Sequence, residues 1–148
     1  MLGFVFLWAF VDKVFGLGFA TVAGKAWVDG VSPTAGFLKF GVNKEGPFLE
    51  YFNSLAGQAW VDWLFMLGLL GLGLALVLGI GLRIAAVAGT VLLVMMWAAT
   101  LPLKNNPVLD EHLVYAVMLW VFAAAPRNCS VFEKWAAVPT VKKNPWLW

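Results

Sequence analysis

Seven side chains in an otherwise apolar chain carry groups that could do chemistry: Asp12, Lys13, Asp62, Asp110, Glu111, His112 and Tyr115. Asp12 and Lys13 stand inside the first apolar run, LGFVFLWAFVDKVFGLGFAT. An ionisable group near the bilayer centre costs at least ~2.5–3.5 kcal/mol, so it is expected to face a bundle interior and find a partner there. Neighbours in sequence do not face each other on a helix. Asp12 is expected about 15 Å from the outer end of its helix, and Asp62 about 6 Å below the outer start of the next, at 1.5 Å per residue. A Lys13 stem leaning outward closes most of that gap, which makes Lys13–Asp62 the expected cross-helix pair.

Asp110 and Glu111 belong to a first helical turn, where the helix dipole favours acids. His112 and Tyr115 are spaced to share a helix face, and imidazole exchanges protons near neutral pH. Asp62, Glu111 and His112 are therefore the candidate proton-handling residues. Asp12, Lys13, Tyr115 and Trp63 are the candidate cavity residues, with Trp8, Trp60 and Trp97 as further walls. Such a cavity suits a flat, lipid-soluble molecule with polar ends, such as a quinone, whose two-electron reduction needs protons.

The composition says what must hold these residues. The 148 residues are 62% hydrophobic and 12% charged, with mean hydropathy +0.85. Soluble domains carry about 25% charged residues, so the chain reads as a single-domain integral membrane protein. Nine Trp and twelve Phe fit interfacial aromatic belts. The net charge of +2 forms no basic stripe, which excludes a nucleic-acid partner. A single cysteine, Cys129, excludes an internal disulfide and a CxxC redox pair. A single histidine excludes bis-His haem and argues against a His/Cys zinc site. No metal site and no haem, Fe–S or flavin motif is evident, so electrons would come from a bound cofactor, a partner subunit or the substrate itself. The first run lacks a basic lead and a small-residue cleavage site, which argues against a signal peptide.

Four spanning helices are expected, at about 2–22, 58–80, 82–103 and 107–125, each near the ~20 residues that cross hydrocarbon. Asn106-Pro107 reads as cap and first turn of the fourth, and Pro126 as its exit. The tight joint from Gly79 to Arg83 makes the second and third helices antiparallel neighbours. Gly71/Ala75, Ala75/Gly79 and Ala85/Gly89 are small-residue pairs that predict a close contact between those two helices. Gly16 would admit another helix beside the two charges. The loop from 23 to 57 carries helix starts at Ser32-Pro33 and Gly46-Pro47. Its stripe Phe48, Tyr51, Phe52 and Leu55 either lies in the interface or packs on the outer helix ends. Ser130 to Glu133 is a capping-box pattern, and KKNPWLW suits anionic headgroups. Arg83, Arg127, Lys134, Lys142 and Lys143 fall on one side, which places both termini in the cytoplasm. The fold expected is an all-α integral membrane four-helix bundle with an ordered outer loop and an interfacial C-terminal segment.

The segments VFLWAFVDKVFGLGFAT, SPTAGFL, AWVDWLFMLGLLGLGLALVLGIGLRIAAVAG and NNPVLDEHLVYA resemble the DoxX family across residues 2–125. That family is four-helical and related to the DoxD-type subunit of thiosulfate:quinone oxidoreductase, which passes electrons from thiosulfate to membrane quinone. The resemblance implies a membrane subunit of a quinone-linked oxidoreductase in a prokaryotic-type plasma membrane, acting on thiosulfate or another small sulfur compound. Lys13, Asp62 and His112 are where the resemblance and the bilayer argument coincide. The alternatives are a non-catalytic scaffold that recruits a redox partner, and a small oligomeric transporter or lipid-binding protein. The partners expected are the bilayer and either a second copy or a redox subunit.

Overall fold

The computed structural model describes residues 1–103, 106, 108–125 and 130–147, with the side chains of 130–133 and 145 set aside. It is 70% helical, with no strand among the described residues. Pro107, Pro126, Arg127, Cys129, Trp148 and the side chains of the Ser130–Glu133 box lie outside the described part.

Helix α1, Leu2–Phe15, is shorter than the run suggests. Gly16 adopts a left-handed conformation (φ 64) and its N–H closes on the Asp12 carbonyl at 2.8 Å. Gly18 (φ 87) then turns the chain again. The expected span to residue 22 is thus a helix of 14 residues, about 21 Å long at 1.5 Å per residue, followed by a compact turn. Glycine reaches positive φ without steric cost, and here that freedom ends the helix rather than admitting a neighbouring one. What approaches Gly16 is the loop: a Cβ there would meet Ala26 and the Val22 carbonyl at 3.1 Å.

Helices α3 (Ala59–Leu78) and α4 (Leu82–Thr100), which follow the short α2 (Leu49–Leu55), agree with expectation. They hold 20 and 19 residues and are long and apolar enough to cross a membrane. Only 28% and 33% of their most apolar windows are buried. Leu64, Leu67, Val77, Val87 and Val91 face outward. A core helix of a soluble protein buries such residues; an outward apolar face this size calls for lipid or another protein surface.

Helix α5, Glu111–Ala124, starts later than expected. Its cap is Asp110, whose carboxylate accepts from the N–H groups of His112 (3.0 Å) and Leu113 (3.3 Å). Asn106 instead accepts from Val108 and Leu109, making a turn ahead of the helix.

The helices pack in the order α1, α3, α4, α5, each on the next. Phe6, Met66, Leu72, Ala86, Leu93 and Leu119 fill the shared core. Of the small-residue pairs, the one containing Gly89 does bring α4 against α3, at Leu72, whereas Gly71 plays no such part, and the other close approaches lie elsewhere. A Cβ on Gly73 would meet Leu7 Cγ at 2.5 Å, and one on Gly3 would meet Leu76 and Val77 at 2.9 Å, so glycines bring α1 against α3. Gly89 makes room for Leu119 and Leu72. Gly71 faces open space.

The loop between α1 and α3 is ordered. It contains a 3-10 turn at Trp27–Asp29, a π-helical turn at Phe37–Gly41, and α2. Leu38, Val42 and Phe52 pack on Ala99 in a second apolar cluster, while Phe48 and Tyr51 stay exposed. Of the two readings of the stripe, packing on the helix ends is the one adopted. Backbone ties secure it, with Asn43 N–H donating to Ala99 O at 3.0 Å and its side chain to Pro102 O at 2.8 Å. After α5, α6 (Ser130–Ala137), α7 (Pro139–Lys143) and a turn at Pro145–Leu147 fold back, the turn resting on α4.

Candidate functional site

Asp12 is 1% exposed and its partners are backbone groups. One carboxylate oxygen accepts from Thr21 N–H at 2.8 Å and the other from Phe19 N–H at 3.4 Å. Irregular backbone in a buried setting needs internal partners for its polar groups. Asp12 supplies them for the turn that replaces the last part of the expected span. Its burial is therefore explained without a cation.

Asp62, 7% exposed in the first turn of α3, is also held by the loop. Its Oδ1 accepts from Ser32 Oγ (2.7 Å), Thr34 Oγ1 (2.5 Å) and Thr34 N–H (3.3 Å). The Ser32-Pro33-Thr34 segment thus latches onto α3. No Lys13–Asp62 ion pair forms: hydroxyls and an amide satisfy the carboxylate where the amine was expected.

Lys13 makes no ion pair within 4.0 Å among the described residues, although the adjacent Asp12 charge acts on it. Its Nζ lies over the face of Phe65, 6.0 Å from the ring centre. It lines an apolar cavity of about 180 Å³ together with Thr34. The loop contributes Pro33, Phe37, Leu38, Phe52 and Leu55; α3 contributes Val61, Leu64 and Phe65; α4 contributes Leu92, Met95 and Met96. Leu64 and Met95 are both exposed, so the cavity opens on the outward apolar face between α3 and α4. Apolar cavities of about 150 Å³ hold a benzene ring, so this one has room for a single six-membered ring, with any tail leaving through the opening.

The second cavity, about 860 Å³, is an open cleft at the other end of the loop pad. Asn43, Lys44, Glu45, Asp110, Glu111 and His112 contribute its polar walls. His112 Nδ1 and Asp110 Oδ2 are 2.7 Å apart. Burial alone would raise the Asp110 carboxyl, but the bonds from the His112 ring and the Leu113 and His112 amides outweigh it and hold the group below the usual carboxylate range. The Asp110 carboxylate thus orients the imidazole through Nδ1.

The expected residues therefore separate into two places. Lys13 belongs to the ring-sized cavity, and Asp62 touches that cavity only through Thr34. Glu111 and His112 belong to the cleft, and no residue lines both. Tyr115 packs against the main core and lines neither. The four tryptophans are walls of neither cavity: Trp63 packs edge-on against Trp27, Trp8 between Phe4 and Phe19, Trp97 donates to Val108 O, and Trp60 is exposed. Thr34, Ser32 and Phe65 carry roles that the sequence reading missed. Two hydroxyls flanking Pro33 were the available signal, and they look like any helix start. Comparison with protein-family models, with curated proteins and with solved structures returns no match.

Proposed function

We propose that the chain is a four-helix membrane protein that binds a quinone in the Lys13 cavity and serves a quinone-linked oxidoreductase as its membrane subunit. One observation carries the reading: the Lys13 amine, over the Phe65 ring and in no ion pair within 4.0 Å among the described residues, lines a ring-sized apolar cavity that opens on an outward apolar face. A quinone fits that chemistry. Its ring is flat and apolar, its carbonyl oxygen accepts from an ammonium, and its isoprenoid tail belongs in lipid. The outward faces of α3 and α4 support the bilayer setting, with α1 and α5, 14 residues each, embedded beside them as shorter helices and both termini in the cytoplasm of a prokaryotic-type cell. The likeness to the DoxX family points to the same chemistry.

Reduction of a quinone to hydroquinone takes up two electrons and two protons. Oxidative coupling of two thiosulfates to tetrathionate releases two electrons, which makes a small sulfur compound the donor class of this reading. Lys13 orients the carbonyl that gains charge. Asp62, through the Thr34 hydroxyl, is the acid–base group adjoining the ring. The Asp110–His112 pair, with Glu111, exchanges protons with water at the cleft.

The test is titration of purified protein with a short-tail ubiquinone. Wild type binds it, Lys13→Met weakens binding tenfold or more, and His112→Ala leaves binding unchanged while lowering thiosulfate-dependent quinone reduction. Equal binding by wild type and Lys13→Met would contradict the reading.

A further inference from the structure

We propose that the Lys13 cavity distinguishes the two redox states of its ligand and binds hydroquinone more tightly than quinone. The inference rests on the quinone reading above and follows from an inventory of donors and acceptors. A quinone ring offers acceptors only, whereas a hydroquinone offers two hydroxyls that can donate as well as accept.

Lys13 is the donor of the cavity, with three N–H groups and no acceptor capacity. Thr34 is the other polar residue of the wall, 5% exposed, and its hydroxyl hydrogen is committed to Asp62 Oδ1 at 2.5 Å. The Asp62 carboxylate accepts only, and Ser32 Oγ and Thr34 N–H donate to that same oxygen, so the Thr34 hydroxyl is held in its donating orientation toward Asp62. What Thr34 Oγ1 retains for a ligand is its lone pairs. The cavity therefore pairs one donor with one acceptor inside apolar walls. A hydroquinone satisfies both, one oxygen accepting from Lys13 and the other hydroxyl donating to Thr34. A quinone satisfies Lys13 alone and sets a carbonyl oxygen against the Thr34 lone pairs. Sites built around a ligand hydroxyl reject the analogue that lacks it, because their own polar group is then left unpaired.

By linkage, a ligand held more tightly when reduced is easier to reduce when bound. A tenfold preference raises the potential of the bound two-electron couple by about 30 mV. Asp62 and Ser32 act here as positioning residues, since they fix which way the Thr34 hydroxyl points.

The test is an anaerobic titration of the full chain in detergent with ubiquinone-1 and with ubiquinol-1, read by quenching of tryptophan fluorescence. Wild type is expected to bind the quinol about tenfold more tightly. Thr34→Ser keeps that ratio, and Thr34→Val, which keeps the shape and loses the oxygen, brings it near one. Equal affinities in wild type would overturn the inference without recourse to any variant. An unchanged ratio in a folded Thr34→Val protein would overturn it as well. Binding of neither form would instead sink the quinone reading itself, so the two failures are distinguishable.

Discussion

A buried carboxylate can be satisfied by a cation or by amides, and Asp12 takes the second course. Removing its side chain strands two backbone N–H groups beside α1, at about 1–3 kcal/mol for each unsatisfied group. Asp12→Ala is therefore expected to lower the melting temperature of the detergent-solubilised protein sharply, whereas Lys13→Met, which breaks no ion pair, leaves it near wild type. A larger loss from Lys13→Met than from Asp12→Ala would restore the ion-pair account. Asp110 gives a pH signature. Its carboxyl is held below the usual range by the His112 ring and two amides. A lowered folded value means stability present above the unfolded carboxyl value, near 3.9, and lost as pH falls through the folded one. Asp110→Asn keeps a capping acceptor but no charge. The stability gap between wild type and Asp110→Asn should be full near neutral pH and close in acid. A gap that does not shrink at all as pH falls below the unfolded carboxyl value, near 3.9, would contradict the charge argument.

Which elements touch closely is decided by individual glycines rather than by their spacing. Gly73 and Gly3 let α1 press on α3, and Gly89 admits Leu119 and Leu72, while Gly71 opens on nothing. Gly73→Ala should cost about 1–3 kcal/mol through overpacking against Leu7. Gly71→Ala should be neutral or gain up to about 1 kcal/mol from helix propensity. Thermal melts of the two variants check this, and equal losses would contradict the packing order. The same contrast explains how legible the elements were. Runs such as Ala59–Leu78 carry their own length and apolarity, so α3 and α4 could be read from residues alone. The end of α1 could not, because Gly16 and Gly18 lie in an apolar stretch whose hydropathy continues past them. Nor could the start of α5, where Asn106 and Asp110 are both good caps and only tertiary context selects Asp110.

Over the whole molecule, the loop before α3 closes one end of the helices and builds most of one wall of the ring-sized cavity. That role depends on contacts between distant residues: Ser32 and Thr34 with Asp62, Asn43 with Ala99 and Pro102. A sequence displays the charges but not this latch, so Lys13 and Asp62 could be singled out while their pairing could not. The proposed seat of the quinone ring is the Lys13 cavity. Photolabelling with a short-tail azidoquinone, followed by peptide mapping, tests it most directly. Adducts in the segments that carry Phe65, Met95 and Met96, suppressed by excess unlabelled quinone and lost in Lys13→Met, are the expected result. Adducts confined to the Asp110–His112 cleft, or indifferent to both competitor and Lys13→Met, would contradict it.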